Sequence, residues 1–269
     1  MSSFSADWLA LREPYDLRAR NPAVLDAVAT FFEQRPSLGV VDLACGTGST
    51  LRAISPRLPA RQSWMLVDND PDLLVRAAST PLKFDVAVTA VPLDLNQHLE
   101  TALEGTVDLV ATSALLDLVS EAWLHRLAVA VTDRSIPFYA TLSYDGRVAF
   151  TPPDPFDAAI ASSADAHQRT DKGFGPALGP AAADFALTRF EALGYSVIPG
   201  ASDWVMGPED RDLQTELLGG WARAAHDIGT LSGDDIRAWL TRRRAMIAAG
   251  RSALLVGHVD FFATPSATR

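Results

Sequence analysis

From Ser5 to Phe32, apolar side chains (Trp8, Leu9, Leu11, Leu17, Val24, Leu25, Val28, Phe31 and Phe32) recur at helical spacing, interrupted by Pro14 and Pro22. The pattern predicts one or two amphipathic helices. Short apolar runs then alternate with helix-like pieces. Strands are predicted over Gly39–Leu43, Ser63–Val67, Ala87–Pro92, Val107–Thr112 and Pro137–Ser143, with helices among them at Pro71–Ala78 and Glu121–Val131. Such alternation implies βαβ units and a mostly parallel sheet.

Residues 145–184 break this rhythm with a concentration of prolines and glycines. Within them, Asp154, Pro155 and Asp157 read as an N-cap, a first-turn proline and a first-turn acid, which predicts a helix from Pro155 to about Gln168. The polar loop "HQRTDKGFGPALGP" follows, and Gly179-Pro180 opens a helix that Gly194 ends as a C′ glycine. The tail reads as a strand or hairpin over Tyr195–Met206, two helices and a last strand over Ala253–Ala263. Ser232 with Asp235 three residues on starts the second of those helices.

The chain has 269 residues, 48% of them hydrophobic, enough for one large core. We expect a single domain over 1–269: a helical cover (1–35), a cofactor-binding half (36–144), a lid-like insertion (145–184) and a substrate-side half (185–269). The formal net charge of −10 argues against a broad footprint for nucleic acid or an anionic membrane. No apolar run approaches the roughly 18 residues of a membrane span, and the N-terminus lacks a basic-then-apolar signal pattern. A cytoplasmic protein is expected. Cys45 is the lone cysteine, and the five histidines are dispersed without ligand spacing, so no metal site is expected.

The stretch "VVDLACGTGST", Val40 to Thr50, carries the chemistry. A strand that runs into a glycine loop and a helix turns backbone N–H groups toward a ligand. A Walker loop would end in Gly-Lys-Ser/Thr, and no lysine is present. Gly46 and Gly48 fit a dinucleotide fingerprint, but Leu51 stands at its third glycine. Asp68 follows Gly48 by 20 residues and suits ribose hydroxyls, a need that any adenosine ligand shares. Asp42, just before the loop, is unhelpful beside a pyrophosphate and useful beside an amine. Asp94, after the third strand, suits an adenine amino group or the loop that holds one.

"VVDLACGTG", "WMLVDNDPDLL", "VPLDLN" and "VDLVATSALLDL", in that order, resemble the successive motifs of the class I S-adenosylmethionine-dependent methyltransferases, clearly over Val40 to Ser143. The resemblance implies an α/β, doubly wound, Rossmann-like sheet of seven mostly parallel strands, the last one antiparallel, here with an N-terminal helical cover and a lid insertion after the fifth strand. It implies S-adenosyl-L-methionine as cofactor. Ala44, Gly46 and Gly48 would line its methionine part, Asp68 would take the ribose hydroxyls, and Asn69, Asp94 and Leu95 would lie by the adenine. Ser113 would stand near the methionine amino group and the reacting methyl. Tyr15 and Arg20 lie on helices that often cover the cofactor in this family. Arg20 is a candidate for the cofactor carboxylate, with a surface salt bridge to Asp16 as the rival reading.

On the acceptor side the candidates are Asp117, just past the fourth strand, Tyr144 and Asp145, at the end of the fifth, and His167 in the lid loop with Arg169, Asp171 and Lys172. His258 and Asp260 share a face of the last strand, which should carry them away from the cofactor end as a satisfied core pair. Cys45 reads as a packed thiol, Arg242–Arg244 as a solvated helix face, and "TPPDPF" as turn chemistry. The favoured reading is a methyltransferase acting on a small-molecule substrate. An RNA or protein acceptor, a non-catalytic cofactor-binding subunit and, more weakly, a nicotinamide-linked oxidoreductase remain as alternatives.

Overall fold

The computed structural model describes residues 4–79 and 85–266. Two helices open the chain. Helix α1 (Ala6–Ala19) is capped by the Ser5 hydroxyl, which accepts from the Trp8 N–H at 3.1 Å. Helix α2 (Pro22–Phe32) is capped by Asn21 and carries Pro22 in its first turn, where a missing N–H costs nothing. Pro14 lies inside α1 and does not end it.

The sheet is built from β1 (Leu38–Leu43), β2 (Arg61–Asp68), β3 (Asp85–Pro92), β4 (Leu109–Ser113), β5 (Phe138–Thr151), β6 (Tyr195–Ala201), β7 (Trp204–Met206) and β8 (Ala253–Pro265). Its order is β3-β2-β1-β4-β5-β8-β6, and short β7 pairs with β8 as an eighth strand. The first five strands are parallel, and β8 runs antiparallel to β5 and β6. The Rossmann-like arrangement with an antiparallel last strand is thus present.

Alternate residues of each strand point to opposite faces, which gives two cores. Val41, Leu43, Val110, Phe138 and Ala140 pack against α5 (Leu95–Ala102), α6 (Glu121–Thr132) and α8 (Ala182–Ala192). Val40, Trp64, Leu66, Ala111 and Tyr139 pack against α2, α3 (Ser49–Ile54) and α4 (Pro71–Ala78).

The fifth strand does not stop near Ser143. It passes a register shift between Tyr144 and Val148, with Gly146 at φ 85, and continues to Thr151 against the first half of β8. A third core forms on this extension from β7, α7 (Asp157–Gln168), α9 (Arg211–Ile228) and α10 (Gly233–Ala248). It includes Ile160, Trp204, Leu213, Leu218, Trp239 and Leu254. Residues 145–184 are therefore a strand end, a helix and a docked loop rather than one lid. Helix α7 begins two residues later than expected, yet Asp154 and Asp157 close its start: Asp154 accepts from the Phe156 N–H at 3.0 Å, and Asp157 from the Asp154 N–H at 2.6 Å.

Asp157 also corrects the expectation for Arg242–Arg244. Arg243 is fully buried and ion-paired with Asp157, while Arg242 reaches Asp154 at 2.6 Å. The basic run closes the third core onto the start of α7. The loop after α7 is pinned as well. Asn96 donates to the Gly173 carbonyl at 2.9 Å, Leu178 N–H to Val119 O at 2.8 Å, and Phe174 stacks edge-on against Trp123.

Candidate active site

Strand β1 delivers the chain into a loop in which Ala44, Gly46 and Gly48 all have positive φ (54°, 54° and 82°), a conformation glycine adopts without strain. The loop is held from three sides. Asp68, at the end of β2, accepts from Gly46 N–H at 2.8 Å and from Asp70 N–H at 3.0 Å. Arg52 of α3 donates to the Thr47 carbonyl at 2.5 Å and grips both oxygens of Glu13 on α1 at 2.5 and 2.7 Å. Leu9 of α1 lies over Gly46, so that a Cβ there would stand 3.2 Å from its Cδ1. Helix α1 is thus the cover of the glycine loop. Burial pushes the Asp68 carboxyl above its usual range, against the pull of its backbone donors.

Several buried polar atoms at this end of the sheet lack partners. Asp42 is fully buried, neither oxygen has a hydrogen-bond partner, and burial raises its pKa to about 8 against the pull of Arg20. Arg20 follows the last residue of α1 and turns inward. Its Nη1 donates to Thr141 Oγ1 at 3.0 Å and to the Tyr139 hydroxyl at 3.4 Å, while Nε and Nη2 are buried and unpaired. The rival reading for Arg20 is removed, because Asp16 accepts instead from Arg12 at 2.9 Å and from Trp204 Nε1 at 3.0 Å. All the buried unpaired side-chain atoms among the described residues, other than Ser202 Oγ and Gln214 Oε1, belong to Arg20, Asp42, Asp117 and Ser143. These residues sit where β1, β4 and β5 reach the C-terminal end of the parallel sheet, the place where open α/β sheets bind ligands.

On the far side, Asp94 caps α5, accepting from Asn96 N–H at 2.9 Å and from Gln97 Nε2 at 2.8 Å, so it holds this loop. Leu95 is buried with its carbonyl on Trp123 Nε1 at 3.0 Å. Leu93 N–H donates to Asp68 O at 2.9 Å and joins the ends of β2 and β3 next to Asn69. Ser113 ends β4 and is partly exposed.

Asp117 lies in a single 3-10 turn past β4 and is buried. Its Oδ2 accepts from Gln168 Nε2 at 2.8 Å, and Oδ1 has no partner. Burial raises its pKa to about 6. The Tyr144 hydroxyl donates to Asp165 at 2.8 Å, and burial together with that carboxylate pushes its pKa up. Other candidates stand apart from this group. Asp145 is tied to Arg147 at the bulge, and Arg147 also reaches Asp203 at 2.7 Å. His167 neighbours Lys172 and Asp227 at the end of α7. Tyr15 packs against Arg18 and Asp210.

His258 and Asp260 correct the expectation made for them. Because β5 and β8 run on together past the parallel sheet, β8 starts well beyond the site, and its middle lies level with it: Tyr144 pairs with His258 and Ser143 with Val259. The two residues also do not pair with each other. Asp260 accepts from Asn21 and Leu142 N–H groups at 2.9 and 2.8 Å, and the His258 ring lies 5.1 Å from the Trp204 ring. The signal for this, the reach of β5, lies beyond "SYDG" and is hidden by its turn-like composition. Cys45 is buried, and its thiol pKa is pushed up, as a packed residue requires.

Residues 40–133 match the family described as methyltransferase domain. No curated protein matches the sequence. Among solved structures, a cyclopropane-fatty-acyl-phospholipid synthase-like protein from Lactobacillus casei is similar over 97% of this chain and 94% of its own, at 13% identity and a TM-score of 0.55. A mycolic acid cyclopropane synthase in complex with S-adenosylhomocysteine and CTAB is similar over the same shares, at 11% identity and a TM-score of 0.53. At such identities the likeness is one of fold. The methyltransferase-domain match thus covers residues 40–133, and the rest of the chain shares the fold of these structures. No helix among the described residues is long and apolar enough to cross a membrane.

Proposed function

We propose that the protein methylates a small-molecule acceptor by direct displacement, with the methionine end of S-adenosylmethionine held between Asp42 and Arg20. The observation that carries this reading is a buried acid, Asp42, with both oxygens unpaired, at the same end of the sheet as a buried cation, Arg20, whose Nε and Nη2 are unpaired. An isolated buried charge is costly, and breaking the compensation of one typically costs about 3–5 kcal/mol. An amino acid zwitterion supplies both missing partners, its ammonium for Asp42 and its carboxylate for Arg20. Asp68 then faces the ribose hydroxyls, and Asn69, Asp94 and Leu95 form the adenine side.

The cofactor, when bound, supplies a methyl group on a sulfonium. The chain's residues supply position. Asp68 and Arg52 fix the glycine loop, α1 covers it and excludes water, and the turn with Asp117 closes the acceptor side. Orientation of this kind is worth up to roughly 7–11 kcal/mol of barrier. The acidic charge favours a metabolite over a nucleic acid. Calorimetric titration with S-adenosylhomocysteine tests the reading. Saturable binding that weakens at least about tenfold in Arg20→Met, the loss of one charged hydrogen bond, is expected. Equal affinity in both proteins, or salt-dependent RNA binding in place of it, would overturn it.

A further inference from the structure

We infer that the methyl acceptor presents an amino group, received between Asp117 Oδ1 and His258 Nε2. The inference rests on the methyltransferase reading and adds the class of acceptor. His258 Nδ1 lies 3.0 Å from the Val256 carbonyl oxygen. A carbonyl only accepts, so Nδ1 carries the ring proton and Nε2 holds a lone pair. No described residue bonds to Nε2. Burial and the nearby Arg12 depress the His258 pKa to about 3, which keeps the ring neutral. Asp117 Oδ1 is the other open acceptor, more than nine-tenths buried.

Tyr144 joins the two. Its backbone lies near enough to the Asp117 carboxyl to lower its pKa, and its side chain stands opposite His258 in the β5–β8 ladder with the rings 6.1 Å apart. Directly opposed residues of such a ladder have Cβ atoms about 4.5–5.5 Å apart. Two open acceptors ask for two donors on one group. A primary amine has two N–H bonds, a hydroxyl has one, and a carboxylate has none.

Arg12 selects the form of that amine. Its charge acts on both Asp117 and His258, and Asp16 holds it at 2.9 and 3.1 Å. A cation there disfavours an ammonium and favours the neutral amine, whose lone pair is the nucleophile. That lone pair forms the new N–C bond as the C–S bond breaks, and the C–S electron pair stays on sulfur. One N–H proton of the methylated nitrogen passes to the ionised Asp117 Oδ1. Trp204, buried with the Arg12 guanidinium over its ring at 4.8 Å, holds that cation beside His258, whose ring lies 5.1 Å away.

The test uses the full chain and three size-matched probes: 2-phenylethylamine, 2-phenylethanol and phenylacetate. Each is titrated calorimetrically into protein saturated with S-adenosylhomocysteine, and each is offered with S-adenosylmethionine while product release is measured. The amine should bind and be methylated in preference to the other two. Asp117→Asn, of equal shape, should lower kcat/KM by about 10²-fold or more. His258→Phe should weaken amine binding about tenfold, and His258→Gln, which restores an acceptor, should recover part of it. All three single variants should still bind S-adenosylhomocysteine, which certifies their fold. Preference for the alcohol or the carboxylate, or failure of all three probes on a protein that binds S-adenosylhomocysteine, would overturn the inference alone. Failure to bind S-adenosylhomocysteine would instead overturn the reading beneath it.

Discussion

The Asp68 carboxylate accepts the backbone N–H of Gly46 at 2.8 Å, so the end of β2 holds the glycine loop that leaves β1. One side chain thereby shapes the loop and, in the proposed function, also takes the ribose hydroxyls. Replacing it should remove both. Asp68→Ala should weaken S-adenosylhomocysteine binding about 10- to 100-fold, the range for a lost hydrogen bond to a charged group. Calorimetry reads this directly, and an unchanged affinity would show that Asp68 serves the loop alone.

Asp42 makes stability depend on pH in an unusual direction. Its folded pKa, about 8, lies above the ordinary carboxylate value of 3.8. Between those values the folded protein holds a proton that the unfolded chain has released, so this group's contribution falls as pH rises. Asp42→Asn should leave Tm unchanged near pH 4 and raise it, relative to the parent, near pH 8. It should also abolish a proton release. Binding an ammonium at Asp42 at pH 7 should expel its proton, seen as calorimetric heats that vary with the ionisation enthalpy of the buffer.

Gly46 has φ 54 beneath Leu9 of α1, and both facts bar a branched side chain. Gly46→Val should cost about 1–3 kcal/mol of stability from backbone strain and lift the cover. A lower Tm together with lost S-adenosylhomocysteine binding is expected. Retained binding at parental affinity would mean that the loop tolerates a displaced α1.

The Asp157–Arg243 pair gives a contrasting test away from the site. Asp157 also accepts from Trp239 Nε1 at 2.9 Å, and Arg243 is fully buried. Removing one partner strands the other charge, so Asp157→Ala should destabilise by about 3–5 kcal/mol in denaturant unfolding. Under conditions where the variant remains folded, affinity for S-adenosylhomocysteine should hold. A parallel loss of affinity would show that the third core shapes the cofactor end.

The first half of the chain was legible because its signals are local. The strand, the glycines and the acid 20 residues on from Gly48 each follow from spacing, and Asp94 holding its own loop was one of the two roles open to it. What escaped depends on tertiary reach. "SYDG" reads as a strand end, yet Gly146 absorbs the bulge and β5 continues. From that one miss follow the level of His258 and the third core. Arg243 looks like a surface cation in sequence, and for Arg20 a surface salt bridge stood as the rival to a ligand role. Both are buried because distant residues, Thr141 in one case and Asp157 in the other, receive them. No local pattern carries that information.

The central claim is that both Asp42 oxygens and Arg20 Nε and Nη2 are unpaired because they await the two ends of an amino acid zwitterion. A crystal structure of the protein with S-adenosylhomocysteine tests it most directly. The account predicts the ligand's ammonium at hydrogen-bond distance from Asp42 and its carboxylate on Arg20 Nε or Nη2, with the ribose at Asp68. A ligand whose methionine end lies elsewhere, with those buried atoms still unpaired, would contradict it.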